Sequence, residues 1–72
     1  MAPARKIAQF GKNICQIRMR RELTQEELAE RSELSRGFLQ DIEAGRKLPT
    51  LRTILALRKA LDVEWVDLFK GL

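Results

Sequence analysis

A chain of 72 residues with net charge +4, 44% hydrophobic and 33% charged side chains has the length of one small domain and the composition of a folded protein, not of a disordered segment. Its longest apolar run, Ile54-Leu55-Ala56-Leu57, is too short to span a bilayer, and the Met-Ala-Pro-Ala-Arg-Lys start carries no apolar signal core. With no histidine and a single cysteine, Cys15, the chain is expected to hold no transition metal, cofactor or internal disulfide and to suit a reducing cytoplasm.

Ile7, Phe10, Ile14 and Ile17 recur at three- and four-residue spacing, which predicts an amphipathic helix over residues 5–20. Every charge in this first stretch is basic: Arg5, Lys6, Lys12, Arg18, Arg20 and Arg21. Thr24-Gln25-Glu26-Glu27 then reads as a capping box, with Leu23 as a hydrophobic staple against Leu28, opening a short second helix that ends near Ser32. Ser35 caps a third helix that buries Leu39 and Ile42 and stops at Gly45. Acids dominate from Glu22 to Glu43, opposed by Arg31 and Arg36 alone. Thr50 caps a fourth helix with Leu51, Ile54, Leu57 and Leu61 on one stripe, in a stretch made basic again by Arg46, Lys47, Arg52, Arg58 and Lys59. Residues 63–69 form a final short helix stopped by Gly71. No segment alternates with period two, so no strand is expected. The fold class is all-α: a single domain over residues 1–72, five helices around a core spanning about residues 5–70.

The joint Ser32-Glu33-Leu34-Ser35 contains neither glycine nor proline. Helices as short as the two it connects do not persist alone; a tight joint that fixes their crossing makes them a helix-turn-helix. Ala29 suits the crossing point, Leu34 plugs the joint into the core, and the third helix is presented outward. Arg36, Gly37, Gln40, Asp41 and Ala44 fall on its outer side. In a purely structural domain that face would merely be solvated. Its chemistry also fits base reading: arginine bonds bidentately to guanine O6 and N7, glutamine to adenine N6 and N7, and Gly37 lets the backbone approach base edges. Likewise, two basic blocks around an acidic one are either solvated faces or a frame that grips phosphates.

The stretch "LTQEELAERSELSRGFLQDIEAGRKLPTL", followed by "ALDVEWVDLF", resembles the Xre-type, lambda-repressor/Cro-like DNA-binding family over about residues 10–69. Ala29, Leu34, Leu39, Ile42, Glu43-Ala44-Gly45-Arg46 and Pro49-Thr50-Leu51 all fall in that family's register. Glu22, Glu33 and Asp62 stand where the family commonly has glycine. The resemblance implies base reading by Ser35, Arg36, Gly37, Gln40 and Asp41, the last accepting from cytosine N4 or repelling wrong registers. It places Thr24 and Gln25 on phosphates at the start of the second helix, with Arg46 and Lys47 on the far side. Phe38 either fills the core edge or lies at the DNA backbone against sugar and a thymine methyl, the expected outcome being a mixture with packing first. Glu26, Glu27 and Glu30 are expected to face away from the groove. Arg18 and Glu43 match an ion pair between the first and third helices. Trp65 is assigned to the core, and Val66, with Phe69 and Leu72, to a homodimer interface.

The function implied is a sequence-specific regulator of transcription that binds double-stranded DNA as a homodimer on a two-fold-symmetric operator, like stand-alone phage repressors, antitoxins and restriction–modification controllers. A protein-interaction module that has lost base reading is the competing class. An enzyme is not expected, since no nucleophile–base pair or metal cluster is present, and no membrane partner is expected. Cys15 beside the apolar stripe reads as an inert thiol. Arg58 interrupts the fourth helix's stripe without an account beyond snorkelling.

Overall fold

A computed structural model describes residues 3–72. They form five helices: α1 (Pro3–Arg20), α2 (Gln25–Ser32), α3 (Arg36–Glu43), α4 (Leu51–Leu61) and α5 (Trp65–Leu68). Among the described residues there is no strand, and no helix is long and apolar enough to cross a membrane. α1 packs chiefly on α3, α2 on α4 and α3, and α5 on α1. The core is built from Phe10, Ile14 and Ile17 of α1, Leu28 and Ala29 of α2, Leu39 and Ile42 of α3, Leu57 and Leu61 of α4, and Val63 and Leu68 at the end of the chain.

Local chemistry sets where each helix begins. Thr24 accepts from the Glu27 N–H at 3.0 Å while the Glu27 carboxylate accepts from the Thr24 N–H at 2.8 Å, completing the capping box. The Ser35 and Thr50 hydroxyls likewise accept from the N–H groups of Phe38 and Thr53, without the return bond. These side chains satisfy N–H groups that no intrahelical carbonyl can reach.

One device ends α1 to α4. After each helix a residue takes a left-handed backbone: Glu22 (φ 59°), Glu33 (φ 58°), Gly45 (φ 75°) and Asp62 (φ 51°). The next N–H then folds back to a carbonyl five residues earlier: Leu23 to Arg18, Leu34 to Ala29, Arg46 to Asp41, and Val63 to Arg58. This is the Schellman arrangement, and it makes each turn short and rigid without proline. The three residues standing in glycine's usual place are all exposed and all occupy the left-handed region.

Two expectations are corrected. Leu51 is not on the buried stripe of α4; it is 69% exposed, and Thr53 is buried in its stead with Leu57 and Leu61. Thr53 is tolerated there because its hydroxyl bonds that of Thr50 at 3.1 Å. The last helix is also shorter than residues 63–69. It covers Trp65–Leu68, and buried Asn13 holds its end by donating to the carbonyls of Leu68 (2.9 Å) and Lys70 (2.8 Å).

Candidate nucleic-acid interface

The geometry of α3 begins on its hidden side. Leu39 and Ile42 are fully buried, and α1 reaches the end of α3 so closely that a Cβ on Gly11 would lie 2.1 Å from the Ile42 carbonyl oxygen. The sequence reading passed over Gly11; its signal was a lone glycine in the middle of an otherwise regular amphipathic helix. Below this contact, the Arg18 Nε donates to Glu43 at 2.7 Å and its Nη2 at 3.1 Å, while Nη1 donates to the Leu23 carbonyl at 2.9 Å. Gln25 adds a third strand to the knot, its amide donating to Glu43 at 2.9 Å. The Arg18 and Glu43 side chains are 13% and 6% exposed. Arg18 is held protonated above its ordinary range, first by the hydrogen bond to Glu43 and against the opposing effect of burial. Such a pair contributes more to orientation than to net stability: it ties α1, α2 and the end of α3 at one carboxylate and so fixes the angle at which α3 is presented.

The opposite side of α3 is open. Ser35, Arg36, Gly37 and Gln40 are exposed, and a Cβ added at Gly37 would meet nothing within 4 Å. Phe38 is half-buried and packed against the core edge. Gln25 lies beside this face, and Gln40 approaches its side-chain oxygen at 3.4 Å, long for a hydrogen bond. Since the Gln25 amide is engaged by Glu43, the groups left at the start of α2 are the backbone N–H donors of its first turn, where the helix dipole also favours an anion. The capping box takes up the Thr24 N–H and the Glu27 N–H, the latter on the Thr24 hydroxyl oxygen, and leaves the N–H groups of Gln25 and Glu26 and the Thr24 O–H as donors.

Glu26 corrects an expectation. It sits 3.8 Å from Arg36, beside the side chains expected to read bases, whereas the Glu27 carboxylate turns back to cap Thr24. Both side chains are more than half exposed, so the pair is weak and readily exchanged. At the far end of α3, Asp41 takes the Arg46 Nε at 3.0 Å on one oxygen and lies 3.7 Å from Lys47 on the other. The residues expected at base edges and at phosphates therefore line one continuous surface, from Thr24 and Gln25 across Arg36 and Gln40 to Asp41, Arg46 and Lys47. Val66, Phe69 and Leu72 belong to the end of the chain and form no part of it. Val66 is 76% exposed, whereas Phe69 stacks on Trp65 (ring centroids 5.6 Å apart) and tilts against Phe10 at 6.0 Å.

Arg58 acquires a role that the sequence reading lacked. Its Nε donates to the Val63 carbonyl at 3.0 Å and its guanidinium lies 4.6 Å from the centre of the half-buried Trp65 ring, a cation–π contact that pins the α4–α5 turn. Cys15 is half-buried, with the Met19 sulfur at 3.8 Å and Arg18 Nη2 at 3.6 Å.

Two short helices joined by a tight turn, with the second held from behind and open in front, define a helix-turn-helix protein. The helix-turn-helix family model matches residues 16–68. The chain belongs to the Xre-type, lambda-repressor-like helix-turn-helix family. It is 41% identical over 58 residues, 81% of its own length and 75% of the relative's, to the HTH-type transcriptional regulator y4dJ of Sinorhizobium fredii. It is 46% identical over 54 residues to the immunity repressor protein of Bacillus phage phi105, a match covering 75% of this chain and 38% of the repressor. Its backbone resembles the crystal structure of the restriction–modification controller protein C.AhdI from Aeromonas hydrophila, with a TM-score of 0.84 and 36% identity over 88% of this chain and 96% of that one.

Proposed function

We propose that this chain is a sequence-specific regulator of transcription that binds double-stranded DNA, with α3 in the major groove and two copies on a two-fold-symmetric operator. The observation that carries the reading is the asymmetry of α3. Leu39 and Ile42 are sealed behind it and Glu43 is locked by Arg18 and Gln25, while Arg36, Gly37 and Gln40 stand exposed in front. Arg36 and Gln40 carry the side chains that distinguish guanine and adenine by paired bonds. Ser35 and Gly37 allow the N-terminal turn of α3 to come close. The first turn of α2 from Thr24 and Gln25, the edge of Phe38, and Arg46 with Lys47 serve the sugar–phosphate backbone, which sets register without reading sequence. Membership of a family of DNA-binding regulators supports the same reading.

Selection of bound duplexes from a random pool at fixed salt tests it. The parent chain should enrich a two-fold-symmetric consensus. Arg36→Ala and Gln40→Ala should each relax one base position per half-site, at a cost of about 1–3 kcal/mol. Enrichment of no sequence, or an Arg36→Ala consensus identical to the parent's, overturns the assignment.

A further inference from the structure

At three of the four Schellman turns the residue after the left-handed position is apolar: Leu23, Leu34 and Val63, each set against the core. At the end of α3 that place belongs to Arg46, and the residue beneath it is Asp41. The turn brings them together in two ways, through the Arg46 N–H to the Asp41 carbonyl at 2.8 Å and through the Arg46 Nε to the Asp41 carboxylate at 3.0 Å. Lys47 lies 3.7 Å from the second carboxylate oxygen. The Asp41 side chain is 27% exposed and those of Arg46 and Lys47 are 63% and 58% exposed. Packing does not ask for a charge here, because the other three turns close on leucine or valine.

We propose that Asp41 is a positioning and specificity-determining residue, which holds Arg46 and Lys47 for one register of the duplex and weakens their pull on any other. The inference rests on the DNA-binding reading above. Asp41 occupies the Arg46 Nε and leaves both Nη groups, among the described residues, without a protein partner. A guanidinium held at Nε offers its remaining donors in a fixed direction. In the register set by Arg36 and Gln40 those donors meet a phosphate while the bond to Asp41 survives, and little rotamer freedom is left to lose. In other registers Arg46 must either leave Asp41 or miss the phosphate, and the carboxylate, shared with Lys47, is carried uncompensated against a polyanion. Sequence-independent affinity comes almost entirely from cations replacing counterions, so an acid that engages both Arg46 and Lys47 acts chiefly on that part.

The test is a salt titration of the parent, Asp41→Asn and Glu30→Gln on two duplexes of equal length. One is the duplex that the parent recovers from a random pool; the other is an unselected random-sequence duplex. Asp41→Asn should bind the random duplex several-fold more tightly at low salt, with a log–log salt slope steeper by about one unit. That slope corresponds to about fourfold more change in affinity between about 50 and 200 mM salt. The recovered duplex should gain little or lose affinity, so the preference for it falls. Glu30→Gln removes the same charge from an exposed position on α2 and should leave both affinities and the preference unchanged. In an Arg46→Ala background the effect of Asp41→Asn should shrink, because its main partner is gone. A random-duplex affinity and slope unchanged by Asp41→Asn overturns the proposal. So does a variant altered only in its preference at one base position, which would make Asp41 a base reader. A parent that recovers no duplex from the pool defeats the DNA-binding reading itself; a parent that binds both duplexes, with Asp41→Asn indistinguishable from it, defeats only the role given to Asp41.

Discussion

Ser32, the last residue of α2, is 4% exposed, and its hydroxyl has no hydrogen-bond partner. A buried polar atom left unpaired costs free energy that a methyl group would not. Ser32→Ala should therefore raise stability by about 1 kcal/mol, read as a shift of the urea or thermal midpoint; a lower midpoint would mean that the hydroxyl is bonded in solution. Ser32 also shows what a sequence cannot convey at the residue scale. Thr53 in the core, Asn13 under the end of α5 and Gly11 against α3 are all placed by a specific neighbour, distant in sequence for the latter two, and hydrophobic periodicity assigns none of them. Leu51 failed for a related reason. It fits the three- and four-residue spacing of Ile54, Leu57 and Leu61, yet it lies about 120° around the helix from Leu57, and the buried row runs through Thr53 instead. The candidate site was more legible, because exposed side chains on α3 follow from helix geometry once Leu39 and Ile42 are set inside. What stayed hidden were the side-chain pairings across elements: Gln25 with Glu43, and Glu26 with Arg36.

At the scale of elements, the caps were legible because they are local. Thr24, Ser35 and Thr50 each bond an N–H three residues ahead, so one short window contains donor and acceptor. The left-handed residues were legible only as departures from the family's glycines. Glu33→Gly and Asp62→Gly should raise stability by up to about 1 kcal/mol, since side chains at φ 58° and φ 51° strain the backbone where glycine does not. Gly45→Ala should do the reverse, by about 1–3 kcal/mol, because its Cβ would come within 2.9 Å of the Ala8 Cα in addition to the positive φ. Thermal melts of the three variants check the order; two glycine variants that both melt below the parent would show that the charged side chains contribute at these turns. The capping box adds a pH dependence. Glu27 is held below its ordinary 4.5, first by the bond from the Thr24 backbone N–H, so its ionised form is favoured by folding. The contribution is complete above that ordinary value and is lost as pH falls through the lowered one. Glu27→Gln keeps an acceptor but not the charge, and its stability should fall less steeply than the parent's as pH drops below Glu27's ordinary 4.5. Equal slopes would remove Glu27 from the acid response.

At the scale of the whole molecule, size limits what one copy can read. α3 has eight residues and is about 12 Å long, against about 34 Å for a turn of DNA; the described residues extend 33 Å in their longest direction. In the proposed reading, one copy would cover a fraction of a turn, too little to single out one site among many. The proposed pairing of two copies about a two-fold axis would set two α3 helices about one turn apart, and the apolar surface left uncovered is the proposed means. Val66, Phe69 and Leu72 at the C-terminal end are 76%, 38% and 41% exposed. Phe69 and Leu72 also border a groove floored by Phe10, Pro49 and Ile54. Phe69 is partly committed to its own chain by stacking on Trp65, which makes Val66 the cleaner probe. A second exposed apolar ridge, Leu51 and Leu55 at 69% and 50%, lies one helical turn apart on α4. Sedimentation at high micromolar concentration should show a dimer of the parent and a monomer of Val66→Glu, with helical content unchanged because Val66 touches little of its own core. The variant should also bind a single half-site as the parent does while losing the symmetric duplex by more than tenfold, since the second copy no longer adds its contacts. A parent that sediments as a monomer at those concentrations defeats the dimer. A dimer that survives Val66→Glu but dissociates on Leu55→Glu moves the interface from the C-terminal end to α4.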